Sequence, residues 1–516
     1  MSAEVCRVAA VALRGIEGTG VMVEAAVSNQ LPGMAIIGLP DTALAEAKQR
    51  VRVATQRTGA TLSDRFIVVN LSPAALPKQG SSFDLAIALA ALAASAQLPT
   101  ARLAETVHLG ELSLDGELRR APGLLSSVLA ARELGFRRVM VPAAGAREAA
   151  LVPGIEVIAA PHLRDALAWH RAQPGGWWVV DPTEETRGDE HPAEFGPDFA
   201  DVIGQPDAVE AMVIAAAGRH HVSMTGPPGA GKTLLATCLP SILPDLTPAE
   251  SLVVSSIASL GGTGISRLMH RPPFESPHHS ASMVAMVGGG EGGLIRPGAI
   301  TRSCHGVLFL DEAPEFPRTV LDALRQPLES GQIEIHRARV HAKLPARMQL
   351  VLAANPCPCG QADAVDPVDA CRCPPSARLR YAARLSGPLT DRIDVRLTVR
   401  RVPGVLFRVS EEAAQPTSAQ LRSRVAAARA AMGERLRGTP WTVNSEVPSG
   451  WLRGPAGRLD AHATVVLDQA LARGYLSARG YLRVLRLAWT VADLAGRDRP
   501  GRDEIGHALA LRGGTG

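Results

Sequence analysis

The sequence predicts an α/β protein that closes in helices, and three observations predict it. Short β-type runs alternate with Ala/Leu-rich helical patterns over residues 1–172. The same alternation returns over 201–400, interrupted by a glycine-rich loop between a strand pattern and a helix pattern. From about 401 the pattern is helical: Leu482, Leu485, Trp489 and Ala492 fall three and four residues apart behind the capping residue Ser477, and the face ends at Gly496. A chain of 516 residues has room for two to four domains. Four segments follow: an α/β domain at 1–172, a linker at 173–200, a second α/β domain with a parallel sheet at 201–400, and a helical domain at 401–516. The linker carries Asp181, Glu184, Glu185, Asp189, Glu190, Glu194 and Asp198 against Arg187 alone, with little apolar periodicity.

Composition narrows the function classes. A formal net charge of +4 on 516 residues cannot coat the surface with cation, so any nucleic-acid contact must come from local patches. The tail beyond 401 is one such region, with 17 Arg against 10 Asp and Glu. No apolar run approaches the roughly 18 residues of a membrane span, and the opening Met1–Gly15 stretch lacks a signal-peptide core. Seven cysteines, four of them between Cys357 and Cys373, do not form a secreted disulfide pattern. The expected location is the cytoplasm, with no membrane partner.

The glycine-rich loop is Gly226, Pro227, Pro228, Gly229, Ala230, Gly231, Lys232 and Thr233, a G-x-x-x-x-G-K-[ST] phosphate loop. Its glycines let backbone N–H groups curl around a phosphate at a helix N-terminus. Lys232 is expected to reach the β- and γ-phosphates of ATP, and Thr233 to ligate Mg²⁺. Seventy-nine residues beyond Lys232, the apolar run Val307–Leu310 ends in Asp311 and Glu312. A buried parallel strand delivers carboxylates to its C-terminal edge in this way, Asp311 for Mg²⁺ and Glu312 for polarising the attacking water. A third strand pattern, Gln349–Ala354, ends in Asn355, suited to orienting that water. Arg392 and Arg479 are suited to stabilising charge on a transferring phosphoryl group, although spacing does not say which active site they serve.

Together the 226–233 loop, the Asp311–Glu312 pair, the Asn355-Pro-Cys-Pro-Cys-Gly360 run and the Gly387-Pro-Leu-Thr-Asp-Arg-Ile-Asp394 run resemble the magnesium-chelatase-like AAA+ ATPases, and within them the YifB/ComM group. The resemblance extends over the whole chain, including Ser276-Pro-His-His279 and the helix that begins at Ser477. It implies a P-loop AAA+ core with a C-terminal helical lid. It also implies that Asn355 is sensor 1, that Arg392 is an arginine finger acting on a neighbouring subunit, and that Arg479 is the sensor-2 arginine, with Arg483 as runner-up. A homo-hexamer follows, and the ComM members are helicases promoting branch migration on single-stranded or branched DNA. Two insertions come with the resemblance. One spans about 277–296. The other is a hairpin-like stretch at 332–345 that offers His336, Arg337, Arg339 and Lys343 as sequence-independent DNA contacts.

The first domain resembles the Lon-protease (S5-like) fold, with Ser82 at the nucleophile's position. A Lon protease needs a lysine to take the hydroxyl proton, and the corresponding position here holds Leu125. Lys78 belongs to the approach to the serine. A non-proteolytic role is expected. Cys357, Cys359, Cys371 and Cys373 form two C-x-C pairs able to hold a structural Zn²⁺, with free thiols or a redox pair as the alternative. His278 and His279 are expected as pore-loop contacts. The expected activity is ATP hydrolysis coupled to DNA translocation in recombination or natural transformation. An ATP-driven protein remodeller or chelatase-type motor without DNA activity is the competing reading, and an ATP-dependent protease is excluded by Leu125.

Overall fold

The computed structural model describes residues 5–38, 41–60, 62, 64–73, 82–182, 196–262, 264–291, 294–337, 340–362, 371–385, 387–402 and 415–513, with backbone only at 41–44, 291, 294, 336–337 and 340–341. Lys78, Arg339, Gly292, Gly293 and residues 183–195 of the acidic stretch lie outside them.

Residues up to 179 build a mixed sheet. Its strands are β1 (Cys6–Arg14), β2 (Glu17–Ser28), β3 (Gly33–Ile37), β4 (Phe66–Ser72), β5 (Thr106–His108), β8 (Arg138–Pro142), β9 (Glu156–Ala160) and β10 (Trp178–Val179). Between them sits the small hairpin of β6 (Glu111–Leu112) and β7 (Leu118–Arg119). The sheet order is β10-β9-β8-β5-β1-β2-β4-β3. Strand alternation divides its core: Val8, Ala10 and Ala12 pack with the helix Asp84–Ala94, while Ala9 and Val11 pack on the other face with the helix Leu124–Glu133.

The second sheet is all parallel. It comprises β11 (Val222–Thr225), β12 (Phe274–Glu275), β15 (Val307–Leu310), β18 (Gln349–Ala354) and β19 (Val395–Thr398), in the order β12-β15-β18-β11-β19. Both faces are covered, which is why β15 and β18 read as continuous apolar runs and are buried at every residue. Val307, Phe309, Val351 and Ala353 point to one face, and Leu308, Leu310, Leu350 and Leu352 to the other. Two hairpins leave this body, β13 (Gly288–Glu291) with β14 (Leu294–Pro297), and β16 (Gln332–Arg337) with β17 (Val340–Pro345).

The helices Ser418–Arg435, Ala461–Ala472, Ala478–Leu494 and Arg502–Gly513 complete the chain. Ser477 caps the third of these by accepting the Gly480 N–H at 3.1 Å. Leu421, Val425, Met432, Leu485 and Trp489 share one cluster with Val222 and Met224, so these helices cover a face of the parallel sheet. Among the described residues no helix is long and apolar enough to cross a membrane.

The first domain is docked on the second. Gly123 N–H donates to Ser259 O at 3.0 Å, and Arg120 Nη2 to Gly262 O at 2.5 Å. Buried Glu148 accepts from Arg120 (2.7 Å), from the Leu125 amide (3.2 Å) and from the Ser259 hydroxyl. Leu125 itself is fully buried.

Charged groups also pin the N-terminal edge of the parallel sheet. Glu250 meets Arg219 at 3.1 Å and His305 Nδ1 at 3.0 Å, and Arg219 also meets Glu446 at 3.5 Å. Burial lowers the His305 pKa, but the neighbouring Cys304 and the Glu250 carboxylate outweigh it and raise it to about 9. A raised folded value means that the stabilisation is complete below about 6.5 and is lost as pH rises through about 9. His305→Gln is therefore expected to lower the melting temperature at pH 6, with a deficit that shrinks by pH 9.5. Thermal melts of both proteins at the two pH values check this.

Candidate nucleotide-binding site

The parallel register brings three chain ends to one edge. Thr225 pairs with Ala354, and Leu310 with Leu352, so the 226–233 loop, Asn355 and Asp311 all emerge at the C-terminal ends of adjacent strands. Open α/β sheets bind ligands at this edge. Gly226 must be glycine because a Cβ there would stand 2.1 Å from the Val399 carbonyl oxygen. Gly229 and Gly231 take φ of +74° and +91°, which turns the loop into the helix Lys232–Ile242.

Lys232 is buried, and its ammonium donates to Gly226 O (2.7 Å), Pro227 O (2.9 Å) and Asn355 Oδ1 (3.2 Å). Burial lowers its pKa, opposed by the Asp311 and Glu312 carboxylates. Thr233 Oγ1 donates to Asp311 Oδ2 at 2.8 Å, so the two groups expected to share Mg²⁺ are in contact. Hydroxyl and carboxylate oxygens are the ligands that this hard cation takes. Glu312 follows at φ +49°, its amide donating to Asp311 Oδ1 at 2.9 Å.

Two contacts at this edge escaped the sequence reading. His279, expected as a pore-loop contact, places Nδ1 3.4 Å from Glu312 Oε2. Gln205 Nε2 donates to Ala230 O (2.6 Å) and Arg400 O (3.2 Å), tying the phosphate loop to the end of β19. The available signal was Gly204-Gln-Pro206, a turn ahead of a proline-started helix.

The arginines stand elsewhere. Asp394 and Val395 donate to His221 O, so the turn holding Arg392 sits at the N-terminal ends of β11 and β19. That is the opposite edge from the phosphate loop, with about 10 Å of strand between them. Arg392 pairs with Glu329 and donates to Pro388 O at 2.5 Å. Arg479 is exposed, 3.6 Å from Asp391. Arg483 meets buried Asp394 at 2.5 Å. Burial works to raise the Asp394 pKa, and it is outweighed by His220 and Arg483, which hold the carboxyl well below the ordinary range.

Lys343 is paired across the hairpin with Glu334 at 3.1 Å, while Ile333, Ile335, Ala342 and Leu344 bury the hairpin's other face. The side chains of His336 and Arg337 lie outside the described residues, as does Arg339 altogether. The four clustered cysteines come together, with Sγ atoms all within 4.8 Å of one another.

With this geometry in place, the comparisons with known proteins fall on the same segments. Magnesium chelatase, subunit ChlI, matches residues 198–405; the ChlI subunit of Mg-chelatase matches 23–145; and its C-terminal part matches 415–512. The chain is 38% identical to the Haemophilus influenzae competence protein ComM over 500 residues, covering 96% of this chain and 95% of that one. The chain belongs to the magnesium-chelatase-like YifB/ComM family. Escherichia coli YifB is 38% identical over 504 residues, covering 96% and 95% of the two chains. An uncharacterized Mycobacterium tuberculosis protein is 46% identical over 508 residues, 98% of each. These relatives and the chelatase-type core support an AAA+ ATPase, a class that uses ATP and Mg²⁺.

Asn355→Ala removes one of the three acceptors on Lys232. Hydrolysis is expected to fall about 100-fold, the cost of one polar group aimed at reacting phosphate, while ATP affinity changes little. Steady-state turnover beside a fluorescent-ATP titration checks the split.

Proposed function

We propose that the chain is a ring-forming motor that couples ATP hydrolysis to translocation on single-stranded or branched DNA, driving branch migration in recombination or transformation. The observation that carries this reading is the division of the site between two edges. Lys232, Thr233, Asp311, Glu312 and Asn355 share one edge, and Arg392 and Arg479 share the other. An arginine about 10 Å of strand away from its own phosphate loop supports the reading that it serves a neighbour. Nucleotide then lies between protomers of a homo-hexamer. Gly226–Thr233 cradle the phosphates, with Thr233 and Asp311 on Mg²⁺. Glu312 polarises water oriented by Asn355, and Arg392 stabilises the transferring charge in trans, with Arg479 as the sensor-2 arginine.

The DNA half of the reading draws on the similarity to a protein named for competence and on the arginine-rich tail. His336, Arg337, Arg339 and Lys343 are its candidate contacts. The Glu334–Lys343 pair neutralises one of those four, and this favours the second reading, a remodeller of proteins that does not use DNA. In either case the first 172 residues act without peptidase chemistry, since Leu125 offers no base. A structural Zn²⁺ on Cys357, Cys359, Cys371 and Cys373 completes the cofactors.

Hydrolysis is expected to rise with a three-way junction and to drive its resolution, and Lys232→Ala and Glu312→Gln are expected to abolish both. Hydrolysis stimulated by protein and indifferent to every DNA form would select the remodeller. Subunit mixing tests the shared site. Lys232→Ala and Arg392→Ala proteins, each inactive alone, are expected to regain turnover together, because hybrid interfaces join one intact loop to one intact finger.

A further inference from the structure

The four-cysteine cluster is built into the nucleotide edge. Cys357 lies two residues beyond Asn355, and Cys371 and Cys373 return just ahead of the helix Pro375–Ala382. Cys357 Sγ stands 3.4 Å from Cys359 Sγ and 3.6 Å from Cys371 Sγ, and the last two are 3.5 Å apart. A tetrahedral zinc with Zn–S of about 2.3 Å sets its sulfurs about 3.8 Å apart, close to this spacing, whereas a disulfide needs about 2.05 Å. All four thiols are free.

Both halves of the cluster press on Asn355 and the phosphate loop. Gly360, its N–H donating to Cys357 O at 2.9 Å, lies so close to Pro228 that a Cβ there would stand 2.5 Å from the proline ring. On the other side, Arg378 Nε donates to Cys373 O at 3.3 Å. The same helix carries buried Tyr381, whose phenol lies close enough to the Asn355 backbone to be influenced by it. Beyond it Arg384 reaches Glu315 at 2.6 Å, three residues past Glu312. A closed tetrathiolate would therefore tie the segments 357–360 and 371–384 together beside Pro228, Asn355 and the turn after Glu312.

We infer that these cysteines bind one Zn²⁺ as a clasp that fixes Asn355 against Lys232, so that zinc occupancy governs the hydrolytic step and not the capture of ATP. Binding releases the thiol protons to solvent and involves no change of oxidation state. The metal half stands on the sulfur geometry alone; the control of hydrolysis rests on the ATPase reading given above. Asn355 acts as the positioned residue, and the cysteines act through it.

The full-length protein from zinc-supplemented cells is expected to carry one zinc per chain by elemental analysis. Stripping with an organomercurial and chelator is expected to lower turnover about tenfold or more, with fluorescent-ATP affinity within about threefold, and added Zn²⁺ restores turnover. Cobalt loaded in its place is expected to show the visible bands of a tetrahedral tetrathiolate. Cys359→Ser and Cys373→Ser, neither of them at the buried Cys357 corner, should reproduce the stripped behaviour. Protein without stoichiometric zinc overturns the site. Unchanged turnover in the stripped protein overturns its control of hydrolysis, and so does ATP affinity that collapses along with turnover. Zinc-loaded protein that hydrolyses no ATP at all overturns the ATPase reading and leaves the metal site standing.

Discussion

The constraint on which the nucleotide edge depends is the burial of one ammonium group. A cation taken out of water must find acceptors, and Lys232 finds them in the carbonyls of Gly226 and Pro227 and in the Asn355 amide. That arrangement fixes the depth of the loop against β19, where Gly226 admits no side chain beside Val399. It also fixes the register of β18 against β11, since a one-residue slip would turn Asn355 away from Lys232. Thr233, one residue on, is thereby delivered to Asp311.

The opposite edge follows a different logic. Arg392, Arg479 and Arg483 are held by Glu329, Asp391 and Asp394, and Asp394 is itself buried beside His220 and His221. Removing Arg483 from its pair with buried Asp394 would leave an uncompensated charge, so this pair resists piecemeal change. His220 bonds Thr490 at 2.8 Å, and Asn444 bonds both Thr490 and Asp493. The helix Ala478–Leu494 is thus tied by polar contacts to the turn that holds Arg392. It is also packed by Leu485 and Trp489 against the cluster containing β11. A displacement of the arginine edge must move this helix with it.

What the sequence disclosed and what it withheld divide by locality. The phosphate loop, the Asp311–Glu312 strand end, Asn355 and the Ser477 cap are short-range patterns whose chemistry is written in consecutive residues. The parallel sheet followed from apolar runs lacking alternation, as β15 and β18 bear out. The contacts that were missed join segments far apart in the chain: His279 to Glu312 and Gln205 to Arg400. Neither has a spacing rule. The edge occupied by Arg392 was illegible for the same reason, because it depends on which way β19 runs beside β11. Cys357 to Cys373 is the intermediate case, in which the two C-x-C pairs suggested a shared site but not its closeness to the phosphate loop.

Leu125 joins the first domain to this scheme. A lysine there would have to extend a charge into a core where Leu125 is fully buried, at several kcal/mol without a partner. The residue's amide is instead engaged with Glu148, which also takes the Ser259 hydroxyl from the helix Pro248–Leu260. Glu148 is buried with Arg120 as its counter-charge, and Arg120 reaches across to Gly262. One carboxylate therefore satisfies donors from both domains, and separating them would strand it without the second. The same helix carries Glu250 at its start, bonded to Arg219 and His305 on the arginine-bearing edge of the sheet. The first domain is thus joined, through the two ends of one helix, to the arginine-bearing edge of the parallel sheet.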